Sequence, residues 1–483
     1  MVLSVLHISD LHRDPANPIS NDVLLDSLER DRDRYTSEED PIILAPNLII
    51  VSGDMVQGIK YATHDAEKKL REQYEEALHF LNELTKRFLN GDKSRVVIVP
   101  GNHDVSDHIF RQSLTNVELD ANRYKPMGAE LFKPGSLLRW SWEDFNLYEI
   151  TDWECYKLRL SMFCQLYQDF YEGQRQFLQD PDQQFDIFDF PDDGVIIAGF
   201  SSCHNNDLLN RQGAIHPECI AQAGRQVRDI ARWHNGIRIG VWHHNMEGPP
   251  FQSNYMDPDV VQNLIDSGFS LGFHGHQHRP QFLDTRFRHS VDRRITVVSA
   301  GTLCGGPAFR HGRAYNLVEI DPSNNNGRIH LREMENDNLQ MPIWGPRAIP
   351  PHLTSHLDFK FDPPPQTFGV PDRKTLILLK AQEHYDNSDY VEAARLFGDI
   401  ASSDSIARRL LLQCLLKLED THGIIAGFDP PRSAAEAIAL MDALWAAGAY
   451  DHLKKVMEHS IIAETEEPSV GEIRAKYEKR LSK

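Results

Sequence analysis

Aspartate, asparagine and histidine recur along this chain in five short clusters: Asp10 and His12 in SDLH, Asp54 in SGD, Asn102, His103 and Asp104 in PGNHD, His243 and His244 in WHHN, and His274, His276 and His278 in HGHQH. Each cluster follows an apolar run that reads as a strand. In open α/β sheets the loops at the carboxyl ends of strands meet in one crevice, so these residues are expected to converge. Asp10, Asp54 and Asn102 supply carboxylate or amide oxygens, and His12, His243, His276 and His278 supply imidazoles. That mixture suits Mn, Fe or Zn and suits Ca or Mg less well. Residues one apart, as in Asp10 with His12 and His276 with His278, point the same way from an extended backbone, so each pair is expected to grip a metal from one side. A carboxylate shared between two ions allows a pair about 3.5–4 Å apart, the spacing that clamps a phosphate and generates hydroxide at neutral pH. Asp54 is the natural bridge.

The elements that must position these residues follow from the apolar pattern. Val2–Ile8, Asn47–Val51, Val96–Val99, Val195–Phe200, Ile237–Trp242 and Phe269–Phe273 are short, rich in Val and Ile, and read as strands buried on both faces. Asp65–Phe88 between two of them has helical spacing. After Arg279 the candidates Ile295–Ala300, Tyr315–Ile320 and Arg328–Glu333 lack intervening helices, which predicts a mostly antiparallel edge or second sheet and hence a layered α/β sandwich. An insertion over about 106–193 carries many aromatics. Its stretch Tyr156–Tyr171 reads as a helix docking on the main domain, with a base-stacking platform as the alternative.

A domain of 1–341 is expected to be followed by a proline-rich linker over 342–371 and a helical domain over 372–483. In the last, LLKAQEHYDNSDYVEAARLF and ALMDALWAAGAYDHLKKVM look alike, each a helix, a tight turn, a Tyr and a second helix. They resemble the hairpins of tetratricopeptide-like repeats, which implies a surface for a protein partner; a helical buttress is the alternative.

Over 483 residues, 51 Lys and Arg stand against 71 Asp and Glu, a formal charge of -20 that excludes a globally basic nucleic-acid coat. Six scattered cysteines with no CxxC pair read as reduced thiols, the N-terminus reads as a buried strand and not a leader, and no apolar run is long enough to span a membrane. A cytoplasmic protein without membrane contact is expected.

The ordered series DxH, GD, GNHD, HH and GHxH resembles the calcineurin-like metallophosphoesterase superfamily over about residues 1–336. The resemblance implies a four-layer α/β/β/α sandwich, with the all-helical C-terminal domain outside it, and hydrolysis of phosphate esters. It implies two divalent transition-metal ions, Mn foremost, with Fe, Zn or Ni as alternatives. Asp10, His12, Asp54 and His278 would hold one ion, and Asp54, Asn102, His243 and His276 the other. His103 would assist the leaving group, its ring oriented by Asp104, after in-line attack by a hydroxide bridging the metals. Where many relatives carry proline after the paired histidines, this chain has Asn245.

The histidines beside the motifs, His7, His108, His244 and His274, read as hydrogen-bonded structural groups. His204, Asn205 and Arg279 are weak candidates for touching substrate. The arginines after HGHQH (Arg286, Arg288, Arg293, Arg294, Arg310, Arg313) read as a solvated strand face or as phosphate contacts. Gly301–Gly306 lacks the ending of a nucleotide-binding loop and reads as close backbone approach or a tight turn. The leading expectation is a phosphodiesterase acting on a phosphodiester substrate. The alternatives are a DNA or RNA nuclease recruited through the helical domain and a catalytically silent scaffold.

Overall fold

The computed structural model describes residues 2–118, 124–131, 133, 135–230, 236–248, 254–285, 293–307, 311–336, 338–348, 354–364, 373–402, 404–464 and 467–482. The described residues up to 364 form one compact unit and those from 373 a second.

In the first unit, β1 (Leu3–Ile8), β2 (Leu48–Val51) and β3 (Val96–Ile98) are fully buried and pair in parallel, as suits strands rich in Val, Ile and Leu. The insertion contains a small antiparallel sheet of β4 (Leu114–Val117), β5 (Leu138–Ser141) and β6 (Asn146–Ile150), in the order β4-β6-β5. A second large sheet follows, from β7 (Phe185–Phe190), β8 (Val195–Phe200), β9 (Ile237–Val241), β10 (Leu271–His274), β11 (Gln281–Thr285) and β12 (Ile295–Ser299), in the order β11-β12-β10-β9-β8-β7. Strands β8, β9, β10 and β12 run parallel. The chain then returns to the first sheet, where β13 (Ala314–Asp321) lies antiparallel to β1 and β14 (Asn326–Met334) antiparallel to β13.

Both large sheets contribute to one core. Val5, Ile49 and Val97 of the first and Ile197, Ile239 and Phe273 of the second belong to a single buried cluster. Helix Ala66–Leu89 buries Leu70, Tyr74, Ala77, Phe80, Leu81 and Leu84 on one face, the 3.6-residue stripe its sequence carries. Phe80 is fully buried, so its truncation to alanine would cost about 3–5 kcal/mol. Helices Pro217–Ile230 and Pro258–Asp266 contact each other, and the former lies on the second sheet. The result is the expected four-layer sandwich.

The insertion helix Ser161–Phe170 buries Phe163, Tyr167 and Phe170 and packs on Ala66–Leu89, so its aromatics are core and no stacking platform. The expected linker needs correction. Trp344–Pro346 (β15) and His356–Lys360 (β16) both pair with β14, and Trp344, Phe359 and Phe361 are buried, so this stretch completes the first sheet. Prolines are tolerated there because the strands lie at its edge. Residues 349–353 and 365–371 of the expected linker lie outside the described residues.

The second unit consists of helices Arg373–Asp386, Tyr390–Ile400, Ser405–Lys417, Thr421–Phe428, Ala434–Ala446, Tyr450–Met457, Ser460–Ala463 and Pro468–Leu481. Side chains of Asp389, Asp404, Asp420 and Ser433 accept first-turn N–H groups and start four of them. The two look-alike segments each form a helix, a tight turn and a second helix, closed by positive-φ residues at Ser388 and Gly448. Thr421–Phe428, unforeseen from the sequence, separates the hairpins. Among the described residues, no helix is long and apolar enough to cross a membrane.

Candidate metal centre

Every motif loop leaves the carboxyl end of a parallel strand: Asp10 after β1, Asp54 after β2, Asn102–Asp104 after β3, His243 after β9 and His276 after β10. The loops are laced by backbone bonds, Asp10 N to Gly53 O (3.1 Å), His12 N to Asp54 O (3.0 Å) and Gly275 N to His243 O (3.1 Å). Asp10, His12, Asp54, Asn102, His243, His276 and His278 meet as their types foretold.

On one side, Asp10 Oδ1 lies 3.1 Å from His278 Nε2 and 3.8 Å from His12 Nε2, and the two Nε2 atoms are 3.3 Å apart. On the other, Asn102 Oδ1 lies 3.1 Å from His243 Nε2 and 2.9 Å from His276 Nδ1. Asp54 Oδ2 stands between, 3.7 Å from His12 Nε2 and 3.3 Å from His243 Nε2. Asp10, His12 and His278 form one group able to hold a cation, and Asp10, Asp54 and His243 another.

The outer hydrogen bonds decide which ring atoms face inward. His243 Nδ1 donates to Ser52 O at 2.8 Å and His278 Nδ1 to Gly306 O at 2.5 Å. Carbonyl oxygens accept only, so these Nδ1 atoms carry hydrogens and each Nε2 is left for a cation. Asp10 Oδ1 and His276 Nε2 are buried without a hydrogen-bond partner. Lone pairs converging on lone pairs in a buried site suit two cations and little else. The electrostatics show the same pull for positive charge, with protons on two of the rings where no cation is bound. Burial lowers His243, but Asp54 and Asp10 outweigh it and push it up to about 9. His278, also opposed by burial, is pushed up to about 9 by Asp10. Burial pulls His12 down to about 4 and His276 to about 3. Although burial opposes ionisation, Asp54 is held well below the usual carboxylate range by His243 and His103.

Two expectations fail here. Asp10 and His12 do not share an extended backbone: Asp10, His12, Asp54, His276 and His278 all have positive φ, between 44° and 76°. Left-handed turns aim the ligands, and the strain this imposes on non-glycine residues is characteristic of functional sites. Asp104 does not orient His103. Its Oδ2 accepts Gly101 N (2.8 Å) and Met55 N (3.2 Å), its Oδ1 meets Tyr74 Oη (3.3 Å), and burial, with Asp54 adding, pushes it up to about 7. It braces the loop. The ring of His103 is set by Nδ1 donating to Gln57 O at 2.6 Å, while its backbone N donates to Asp54 Oδ1 at 2.9 Å. One of its ring nitrogens lies within 4.8 Å of ligand atoms of His12 and Asp54.

The histidines read as structural are bonded elsewhere. His244 uses Ser202 Oγ and Asn206, His7 uses Ser52 Oγ, His274 bonds Gly275 O, and His108 bonds Gln112. His204 packs on His216, and Asn205 O accepts from Arg139 and Asn210; neither contacts the cluster. Arg279 bonds Gln277. Arg294 pairs with Asp362, and Arg286, Arg288 and Arg310 lie outside the described residues. The glycine reading holds at Gly305, where an added Cβ would sit 2.5 Å from His12 Cδ2.

The sequence did not reveal the supporting carbonyls, since every residue has one. It also missed Ser202, whose Oγ accepts the N–H of both His243 (3.1 Å) and His244 (3.0 Å). Its position directly after β8 was the available signal. The insertion anchors that loop through Arg139 Nε and Tyr156 Oη on Asp207 Oδ2, at 2.7 and 3.0 Å.

The family model described as calcineurin-like phosphoesterase matches residues 3–280. No curated protein matches the chain. Among solved structures, it is similar to a dimetal phosphatase of Danio rerio, at 11% identity over 74% of this chain and 99% of that one, with a TM-score of 0.36. It is likewise similar to a calcineurin-like phosphoesterase of Bacillus subtilis, at 11% identity over 82% and 98%, with a TM-score of 0.31.

Proposed function

Since the chain belongs to the calcineurin-like phosphoesterase family, metal-dependent hydrolases of phosphate esters, we propose that it is a phosphodiesterase whose two ions are held around Asp54. The observation that carries this reading is the position of Asp54 Oδ2 between His12 Nε2 and His243 Nε2, at 3.7 and 3.3 Å, with Asp10 and His278 on one side and Asn102 and His276 on the other. Asp10, His12, Asp54 and His278 hold one ion; Asp54, Asn102, His243 and His276 hold the other. The mixed oxygen and imidazole set suits manganese, iron or zinc, and manganese is the leading ion of this reading. Bound ions supply Lewis acidity and lower the pKa of water.

The chain's own groups do the rest. Ser52 O and Gly306 O keep the Nδ1 hydrogens of His243 and His278 pointing outward. Gln57 O does the same for His103, so the proton that His103 gives to a leaving oxygen sits on Nε2. Among the described residues, Arg279 is engaged by Gln277 and Arg13 by Cys304, Ile19 and Glu76, so neither is free to meet the second negative charge of a monoester, which favours a diester. The helical unit over 372–483 serves as a protein-binding domain, and the protein acts in the cytoplasm.

The test compares bis(p-nitrophenyl) phosphate with p-nitrophenyl phosphate in chelated protein resupplied with Mn. Faster turnover of the diester is expected. Turnover of the monoester alone would overturn the diesterase reading.

A further inference from the structure

A cavity of about 470 Å³ is lined in part by Tyr61, Thr63, Lys68, Arg71 and His108. None of its lining residues belongs to the metal cluster. Besides the first turns of helix Ala66–Leu89, two segments that lead away from His103 contribute to its walls. One leaves Gln57, whose carbonyl fixes the His103 ring, passes Gly58, which abuts His103 O, and reaches Tyr61 four residues on, within about 14 Å of extended chain. The other is helix Asp107–Gln112, which begins just after the NHD turn and carries His108.

Tyr61 is 41% exposed, yet it is not loose. The Arg111 guanidinium lies 4.4 Å from its ring centroid and 5.5 Å from that of Tyr148. Arg111 braces the ring without itself lining the cavity, which Tyr61 does line. An aromatic ring backed by a cation is a stacking platform for a planar heterocycle. The lining charges cancel. Lys68 pairs with Glu72 at 3.7 Å and Arg71 with Glu67 at 3.4 Å, while Asp65 faces the same space. A second phosphate would find no free cation among these pairs, whereas a neutral group with hydroxyls and ring nitrogens would find donors and acceptors in Thr63, Asp65 and His108. The volume lies in the range of small-ligand sites.

We propose that this cavity receives the leaving group of the hydrolysis, and that the leaving group is a neutral nucleoside whose base stacks on Tyr61. The inference rests on the phosphoesterase reading of the metal centre. In the reaction, the bond from phosphorus to the nucleoside oxygen breaks and that oxygen takes a proton from His103. A water oxygen replaces it on phosphorus, and a water proton returns to the ring.

Binding of adenosine, measured by NMR titration of the chelated full-length protein, tests the site apart from the chemistry. Adenosine should bind wild type, Asp54→Ala and Tyr61→Phe alike, and bind Tyr61→Leu about tenfold or more weakly. Ribose should not bind. Equal affinity for Tyr61→Leu and wild type, or no adenosine binding at millimolar concentration, would overturn the proposal. Binding intact without hydrolysis of any diester would instead overturn the phosphoesterase reading. A single-stranded oligonucleotide that binds more tightly than adenosine, still dependent on Tyr61, would identify the nucleoside as a chain end; equal or weaker binding would identify a free nucleotide ester.

Discussion

Nδ1 of His103 lies 2.6 Å from the carbonyl oxygen of Gln57, so a backbone acceptor and not a carboxylate sets the ring that faces the cluster. A carbonyl only accepts, so it keeps a hydrogen on Nδ1 and fixes the orientation of the ring. His103 is therefore separable from the ligands. Replacing His103 by Gln should leave metal content near normal and slow turnover by about 10²–10⁴-fold. Asp54→Ala should lose both ions. Metal analysis beside steady-state rates checks this, and equal metal loss in both variants would contradict the division of roles.

Asp104, by contrast, is a brace. Its carboxylate accepts from Gly101 N and Met55 N and meets the Tyr74 hydroxyl. Asp104→Asn turns one acceptor into a donor against these groups, at a cost of about 1–3 kcal/mol. Thermal unfolding should shift downward while the pH profile of turnover keeps its shape. A displaced profile at unchanged stability would restore Asp104 to an orienting role.

Two glycines distinguish the two metal positions. A Cβ at Gly305 would crowd His12, and one at Gly53 would collide with His243, where φ is also +107°. Gly305→Ala should weaken the position built on Asp10, His12 and His278, and Gly53→Ala the position built on Asn102, His243 and His276. Metal titration of each should find one strong equivalent where wild type binds two.

Much of this centre was legible in the sequence because its parts are coded by residue type. Apolar runs such as Leu48–Val51 and Ile237–Val241 read as doubly buried strands, and oxygen or imidazole ligands follow them within a few residues. What escaped notice is coded by geometry. The strands Leu114–Val117 and Leu138–Ser141 are short and half exposed, with no apolar run to announce them, and the hairpin beside them leaves Trp142 77% exposed. Phe185–Phe190 breaks the alternation of apolar residues with Asp at Ile187 and Phe188, so no period of two announced it. Prolines around 342–351 suggested a linker, but Trp344 and Phe359 find a sheet edge that tolerates them. Positive φ at Asp10 and His278 cannot be read from an aspartate or a histidine.

Protons compete with metal at this site. Burial opposes charge on His243 and His278, but Asp54 and Asp10 prevail and both rings sit at about 9 without metal. At neutral pH a cation must displace these protons, so binding should release them, and affinity for Mn should rise from about pH 6 to about pH 8. The metal-free fold shows the opposite trend. Raised above 6.5, the two rings stabilise it fully below that pH and lose their contribution as the pH climbs through about 9. Calorimetry in buffers of different ionisation heat measures the release; metal binding with no proton exchange would contradict it.

The most direct test of a dinuclear hydrolase built on Asp54 is to titrate Mn into chelated protein while following bis(p-nitrophenyl) phosphate hydrolysis. Two bound equivalents are expected, with full activity only when both are in place, and neither tight binding nor turnover in Asp54→Ala. Full activity at one equivalent, or undiminished activity in Asp54→Ala, would contradict it.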